Sequence, residues 1–90
     1  MICDNLTVSN GRLLFAGQDT VELARQYGTP LYLMDEDRIR ANCQVYTEAF
    51  RRHFGPGARP LYASKANSFQ RIYEIMREEG MGIDVVSSGE

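Results

Sequence analysis

The first apolar clusters along the chain are Leu6-Thr7-Val8 and Leu13-Leu14-Phe15, and Ser9-Asn10-Gly11-Arg12 lies between them. Asn-Gly accepts the positive φ angles of a type I′ turn, so Leu6 to Phe15 is predicted to be a β-hairpin. A short helix follows. Asp19 is placed to cap it, and Glu22 is placed to reach back to the cap's N–H. Gly28 ends this helix, and Thr29-Pro30 prevents its continuation. Leu31 to Met34 is apolar, contains the β-favouring Tyr32 and directly follows proline, so a strand is predicted there. From about Asp35 to Phe54 the period changes. Ile39, Cys43, Tyr46, Phe50 and Phe54 recur at spacings of four, three, four and four, which makes one apolar stripe on a long helix. Asp35, Glu36 and Asp37 at its start and Arg51, Arg52 and His53 at its end complement the helix dipole. Gly55-Pro56-Gly57 stops it.

The second half repeats the alternation of strand and helix. Arg59 to Lys65 reads as a strand. A third helix starts near Ser68, carries Phe69, Ile72, Tyr73 and Met76 inward, and ends at Glu78-Glu79-Gly80. Ile83 to Ser87 reads as another strand, with Ser88-Gly89 turning after it. From Leu31 the order is thus strand, helix, strand, helix, strand. Helices of this length between strands favour parallel βαβ units, whose crossovers are right-handed. The fold class is α/β. A parallel sheet needs both faces covered, and no helix follows the last strand before Glu90. A truncated chain is therefore expected.

Composition narrows the function classes. The 90 residues are 43% hydrophobic and 24% charged, with a formal net charge of −2. No basic stripe points to nucleic acid and no acidic tail to disorder. A chain of this size buries only about 60% of its unfolded surface, which leaves a marginal core. Cys3 and Cys43 form no metal-ligand spacing with each other or with the single histidine, so no metal is expected. They read as free thiols in a reducing compartment. No secretory signal is visible at the N-terminus, and no apolar run approaches the roughly 20 residues that span a bilayer. A cytoplasmic protein without membrane attachment is expected.

Lys65, the one lysine in the chain, is the sharpest chemical candidate. It falls at the C-terminal end of a predicted parallel strand, the end where barrels of alternating strands and helices place their active sites. Alternation puts Ala63 and Lys65 on one face, and so small a neighbour leaves room for a flat ligand. On spacing alone, a strand-exit lysine pointing into water is the plainer reading. Asp84 interrupts an apolar strand. If buried it needs a partner, with Lys65 the obvious one; an exposed strand-start aspartate is equally compatible. His53 reads as a surface charge. Gly80-Met81-Gly82 precedes a strand instead of opening a helix, so it is no dinucleotide fingerprint.

Tyr62-Ala63-Ser64-Lys65-Ala66-Asn67 resembles the Tyr-Ala-x-Lys-Ala-Asn motif of the pyridoxal-phosphate (PLP) dependent decarboxylases of the alanine-racemase-like barrel fold. Gly82-Ile83-Asp84-Val85-Val86-Ser87-Ser88-Gly89-Glu90 is similar to that family's Gly-x-Asp-Val-x-Ser-x-Gly-Glu stretch, with Ser88 where the family often has glycine. Tyr27-Gly28-Thr29-Pro30-Leu31-Tyr32, with Asp35 and Arg40-Ala41-Asn42, resembles its entry segment and following helix. The resemblance covers about Leu6 to Glu90. Within the family, the branch that decarboxylates meso-diaminopimelate fits best. Arginine, ornithine and carboxynorspermidine decarboxylases, and a non-catalytic PLP-binding barrel, remain alternatives.

The resemblance implies PLP as cofactor, with Lys65 as the catalytic lysine that holds it as a Schiff base. It implies that Ala63, Asp84 and Glu90 lie at the cofactor. It implies the beginning of a (β/α)8 barrel over residues 31–90. Residues 1–30, with the hairpin, would belong to a second, β-rich domain. The partners implied are a small amino-acid substrate and, at full length, a second copy in a homodimer, with no nucleic acid and no membrane. The family's phosphate-binding glycine loop, ring-stacking histidine and ring-nitrogen acid are expected beyond Glu90, so the 90 residues alone are expected to be inactive.

Overall fold

The computed structural model describes residues 4–85. Two compact units divide the chain, Met1–Asp35 and Glu36–Glu90.

The first unit is built on a three-stranded antiparallel sheet of β1 (Leu6–Ser9), β2 (Arg12–Phe15) and β3 (Gln18–Asp19), in that order. Ser9 pairs with Arg12, so Asn10 and Gly11 alone make the turn, at φ 52° and 74°. These are the positive values a type I′ hairpin needs, and the hairpin is the one the sequence predicts. The third strand was not predicted. Its turn is Ala16-Gly17, at φ 52° and 82°. Alanine rarely adopts positive φ, so the dipeptide carries a weak signal. The Ala16 N–H donates to the Asn5 carbonyl at 2.8 Å, which closes the ladder beyond β1.

Helix α1 (Thr20–Tyr27) starts on Asp19, whose carboxylate accepts the N–H groups of Val21 and Glu22. Burial raises the Asp19 pKa. The two N–H groups and Arg12, 3.2 Å away, outweigh that and hold the carboxyl below its usual range. Glu22 does not complete a reciprocal cap. Its carboxylate pairs with Arg25 at 2.9 Å. The strand predicted at Leu31–Met34 is not formed, and Tyr32 is 91% exposed. A strand exists only where a neighbouring strand pairs with it, and neither sheet of the described residues includes Leu31–Met34.

In the second unit, α2 (Glu36–Phe54) and α3 (Gln70–Glu78) pack on one face of the parallel pair β4 (Leu61–Ala63) and β5 (Gly82–Asp84). Cys43, Ile72 and Met76 form the buried centre, and Ile39, Tyr62, Met81 and Ile83 pack on it. Burial pushes the Cys43 thiol pKa up. The α2 stripe is buried only in its first half, because Tyr46 and Phe54 are exposed. Phe54 instead meets Phe50 edge-on, with ring centroids 5.5 Å apart. On α3 the predicted inward set also shifts. Phe69 precedes the first turn and is 61% exposed, Tyr73 is half-buried, and Ile75 takes a core place. Ile72, Ile75, Met76 and Glu79 therefore form the inner row, at the i, i+3, i+4, i+7 spacing of one helix face.

Gly80 at φ 79° ends α3, and the Met81 N–H reaches back to the Met76 carbonyl at 2.8 Å. That is a left-handed glycine termination. Gly82 serves a different end. It stands opposite Leu61 in the register, and a Cβ there would collide with Leu61 Cδ2. The two glycines of Gly80-Met81-Gly82 thus have structural roles, as the context before a strand implied.

Candidate functional site

The site grows from the end of β4. The register pairs Leu61 with Gly82, Tyr62 with Ile83 and Ala63 with Asp84. Tyr62 and Ile83 pack against the helices, while Leu61, Ala63 and Asp84 are exposed. Side chains alternate along a strand, so the pair has one covered face and one open face, and Ala63 and Asp84 are neighbours on the open one.

Past Ala63 the chain leaves the sheet. Ser64–Ala66 form one turn of 3-10 helix instead of continuing the predicted strand. Lys65 is in this turn and is exposed. Local bonds shape the turn. The Asn67 N–H donates to the Ser64 carbonyl at 3.2 Å, the Tyr62 hydroxyl donates to the Asn67 carbonyl at 2.8 Å, and the Phe69 N–H donates to Asn67 Oδ1 at 3.0 Å. The last is an Asx turn ahead of α3, whose N-cap position is Phe69. Another bond reaches β5: the Ser64 hydroxyl donates to the Asp84 carbonyl at 2.8 Å. Burial, followed by the nearby Tyr73, raises the Tyr62 pKa, so its hydroxyl stays protonated and able to donate.

Lys65, Ala63 and Asp84 therefore come together at the C-terminal end of the parallel pair. The ion pair between Lys65 and Asp84 considered from the sequence is not formed among the described residues. Asp84 is exposed, so its carboxylate keeps its hydration and needs no buried partner. Glu90, Ser87-Ser88-Gly89 and Cys3 lie outside the described residues. Sequence reasoning missed Ser64 and Asn67. The available signals were a hydroxyl within an apolar strand and an asparagine just before a helix.

The residues present fit an aldehyde cofactor. A primary amine without an ion-pair partner among the described residues stands at the strand exit. Ala63 leaves the sheet face beside it clear. Other groups are less promising. A groove of about 450 Å³ is lined by Arg51, Arg59 and the Gly57 loop, next to the start of β4 and away from Lys65.

Residues 36–90 match the family described as pyridoxal-dependent decarboxylase, pyridoxal binding domain. The chain is 50% identical over 82 residues to the diaminopimelate decarboxylase of Methanothermobacter thermautotrophicus, which covers 89% of this chain and 18% of that protein. It is 41% identical over 90 residues to the diaminopimelate decarboxylase of Methanocaldococcus jannaschii, covering 97% of this chain and 20% of the relative. The crystal structure of the M. jannaschii enzyme in complex with L-lysine superposes with a TM-score of 0.75 at 34% identity, over 96% of this chain and 20% of that one. The chain thus spans about a fifth of the length of the relatives it matches.

Proposed function

We propose, from the premise that this chain belongs to the pyridoxal-dependent decarboxylases, that it supplies the cofactor-binding lysine of an enzyme converting meso-diaminopimelate to L-lysine and carbon dioxide. The substrate reading is supported by relatives at 41–50% identity that are diaminopimelate decarboxylases. It is also supported by the L-lysine bound to the M. jannaschii enzyme, because L-lysine is meso-diaminopimelate less one carboxyl group. The observation that carries the site is the position of Lys65, on a hydrogen-bonded turn directly after β4.

When bound, PLP supplies an aldehyde for the lysine and a ring that accepts the electron pair left as the α-carboxylate departs. The chain's own residues have simpler work. Lys65 Nζ, which would have to be unprotonated, is the group that would hold the cofactor through its aldehyde. Ala63 keeps the adjoining face open to a planar ring. Asp84 sets a negative charge on that face, where it orients cationic groups of cofactor or substrate. Glu90 is assigned to the same neighbourhood on the resemblance. In the larger reading, residues 31–90 form the first βα units of a (β/α)8 barrel, and residues 1–30 belong to a second, β-rich domain. The complete enzyme is a cytoplasmic homodimer acting on a free amino acid, with neither nucleic acid nor membrane as partner. Among the described residues no helix is long and apolar enough to cross a membrane.

The test uses the fact that Lys65 is the one lysine. The chain is treated with PLP, reduced with borohydride and mapped by mass spectrometry, folded and in denaturant. Faster modification of Lys65 in the folded chain, with the N-terminal amine as internal control, is the expected result. Equal rates in both states would mean that the cofactor site needs strands beyond these residues, and the role of Lys65 would then be tested in the full-length protein.

A further inference from the structure

We propose that a second site, for a phosphate ester of a small metabolite, lies between Arg51 and Arg59 at the end of the parallel pair opposite Lys65. It is independent of the role given to Lys65.

Strands β4 and β5 run the same way, so both start at one end, and Lys65 follows β4 at the other. Helices α2 and α3 each lead into one of these strands, which brings their C-terminal ends to the starts of the strands. The groove of about 450 Å³ opens there. Its lining includes Arg51 near the end of α2, Gly57 and Arg59 from the loop into β4, and Glu79 at the end of α3. Such a volume is within the range of small-molecule pockets, roughly 300–1,000 Å³. Residues 51–60 carry three arginines and no aspartate or glutamate. Glu79 is the one acid among the described lining residues, and its charge is already committed. Arg40 stands 2.9 Å from one of its oxygens, and the Gln44 amide donates to the other at 3.0 Å.

Arg51 and Arg59 are exposed, and neither has an ion-pair partner among the described residues. The Arg59 guanidinium lies along the start of β5: a Cβ on Gly82 would stand 3.4 Å from its Nε and 3.6 Å from one terminal nitrogen. Glycine at position 82 leaves that place clear. The two helix ends oppose an anion, since each C-terminus carries about half a negative charge. Two guanidiniums carry two full positive charges, which outweighs them. Last-turn carbonyls are also partly taken: the Gly55 N–H donates to the Arg51 carbonyl at 3.0 Å, and the Gly80 N–H to the Arg77 carbonyl at 3.1 Å. The balance favours an anion. One guanidinium fork satisfies a whole carboxylate. A phosphate ester presents three acceptor oxygens and a charge of about −1.5 to −2, enough for two forks from different segments. Nothing lies within 4 Å of where a Gly57 Cβ would be, so a ligand is able to approach the loop backbone closely.

The probe is glycerol phosphate, titrated into the full chain at constant ionic strength and above about pH 7, where the phosphate is mostly dianionic. NMR follows the arginine Nε–H signals and the Gly57 amide. Saturable shifts at Arg51, Arg59 and Gly57 are expected. Arg51→Gln and Arg59→Gln should each weaken binding by roughly tenfold, the loss of one charge-assisted hydrogen bond. Arg52→Gln removes the same charge one residue away, off the groove lining, and should weaken binding by less than about twofold because the solvent screens it. The ligand should also raise the melting temperature of the parent more than that of Arg51→Gln or Arg59→Gln. Shifts that grow linearly without saturating, or an Arg52→Gln chain as impaired as the other two, overturn the site. Succinate bound as tightly as glycerol phosphate overturns the phosphate assignment. Inorganic phosphate bound more tightly than the ester overturns the choice of an ester.

Discussion

Gly82 shows how a single residue sets the spacing of the site. It faces Leu61 across the parallel pair, and any Cβ at this position would strike the Leu61 side chain. The obstacle is the flexible end of a side chain that is 61% exposed, so Leu61 is able to swing away. Gly82→Ala is therefore expected to cost only about 1 kcal/mol, the low end of the range for overpacking. Leu61→Ala should recover most of that in the double variant, and chemical denaturation of the four-member cycle measures the coupling. Additive losses would show that the glycine is needed for its backbone and not for the space above it. At this scale the sequence was informative about Lys65, Ala63 and Asp84, because side-chain type and strand end are both visible in it. It was silent on Ser64, since a hydroxyl in an apolar run reads as ordinary until its acceptor on another strand is known.

At the scale of elements, α2 and α3 are joined by charge as well as by the core. Arg40 reaches Glu78 at 2.6 Å, Glu79 at 2.9 Å and Glu36 at 3.4 Å, and Arg71 reaches Glu36 at 2.7 Å. Hydrogen bonds from Gln44 and then Arg40 hold the Glu79 carboxyl below its usual range, and Arg71 does the same to Glu36. A carboxyl with a depressed folded pKa binds fewer protons folded than unfolded. Its contribution is complete above the ordinary glutamate value of about 4.3 and is lost as pH falls through the folded value. Melting of the helices, followed by circular dichroism, should thus shift to lower temperature below about pH 4. Glu79→Gln should melt lower than the parent at neutral pH, and the gap should narrow in acid. A gap independent of pH would assign the loss to packing. Helices, with their local period and caps, were the most legible elements: α1, α2 and α3 lie within a few residues of their predicted bounds. Leu31–Met34 was misread because a strand requires a partner, and its own sequence does not contain one.

At the scale of the molecule, one face of β4 and β5 is open, and exposed apolar residues such as Leu61, Phe69 and Phe54 outnumber the few buried ones among the described residues. The chain corresponds to about a fifth of its relatives. Two chemical demands follow. Chemistry on a bound amino acid needs groups that hold the cofactor phosphate and ring, and the resemblance assigns these to positions after Glu90. It also needs water excluded from a site that here faces solvent on one side. The 90 residues alone are therefore expected to release no carbon dioxide from meso-diaminopimelate. A chimera separates that deficit from a wrong reading of the chain. In the M. jannaschii diaminopimelate decarboxylase, the matching segment is exchanged for this chain, whose backbone superposes on it over 96% of its length. The remaining strands then supply the covered face and the missing groups, while every residue argued above comes from this sequence. The chimera is expected to decarboxylate meso-diaminopimelate, and its Lys65→Ala form to lose the activity by orders of magnitude while remaining folded. A folded chimera that binds PLP at Lys65 without turnover would assign this segment to a PLP-binding protein of another activity. One that neither binds nor turns over would mean that the turn after β4 does not present its lysine to the cofactor in the way its hydrogen bonds suggest.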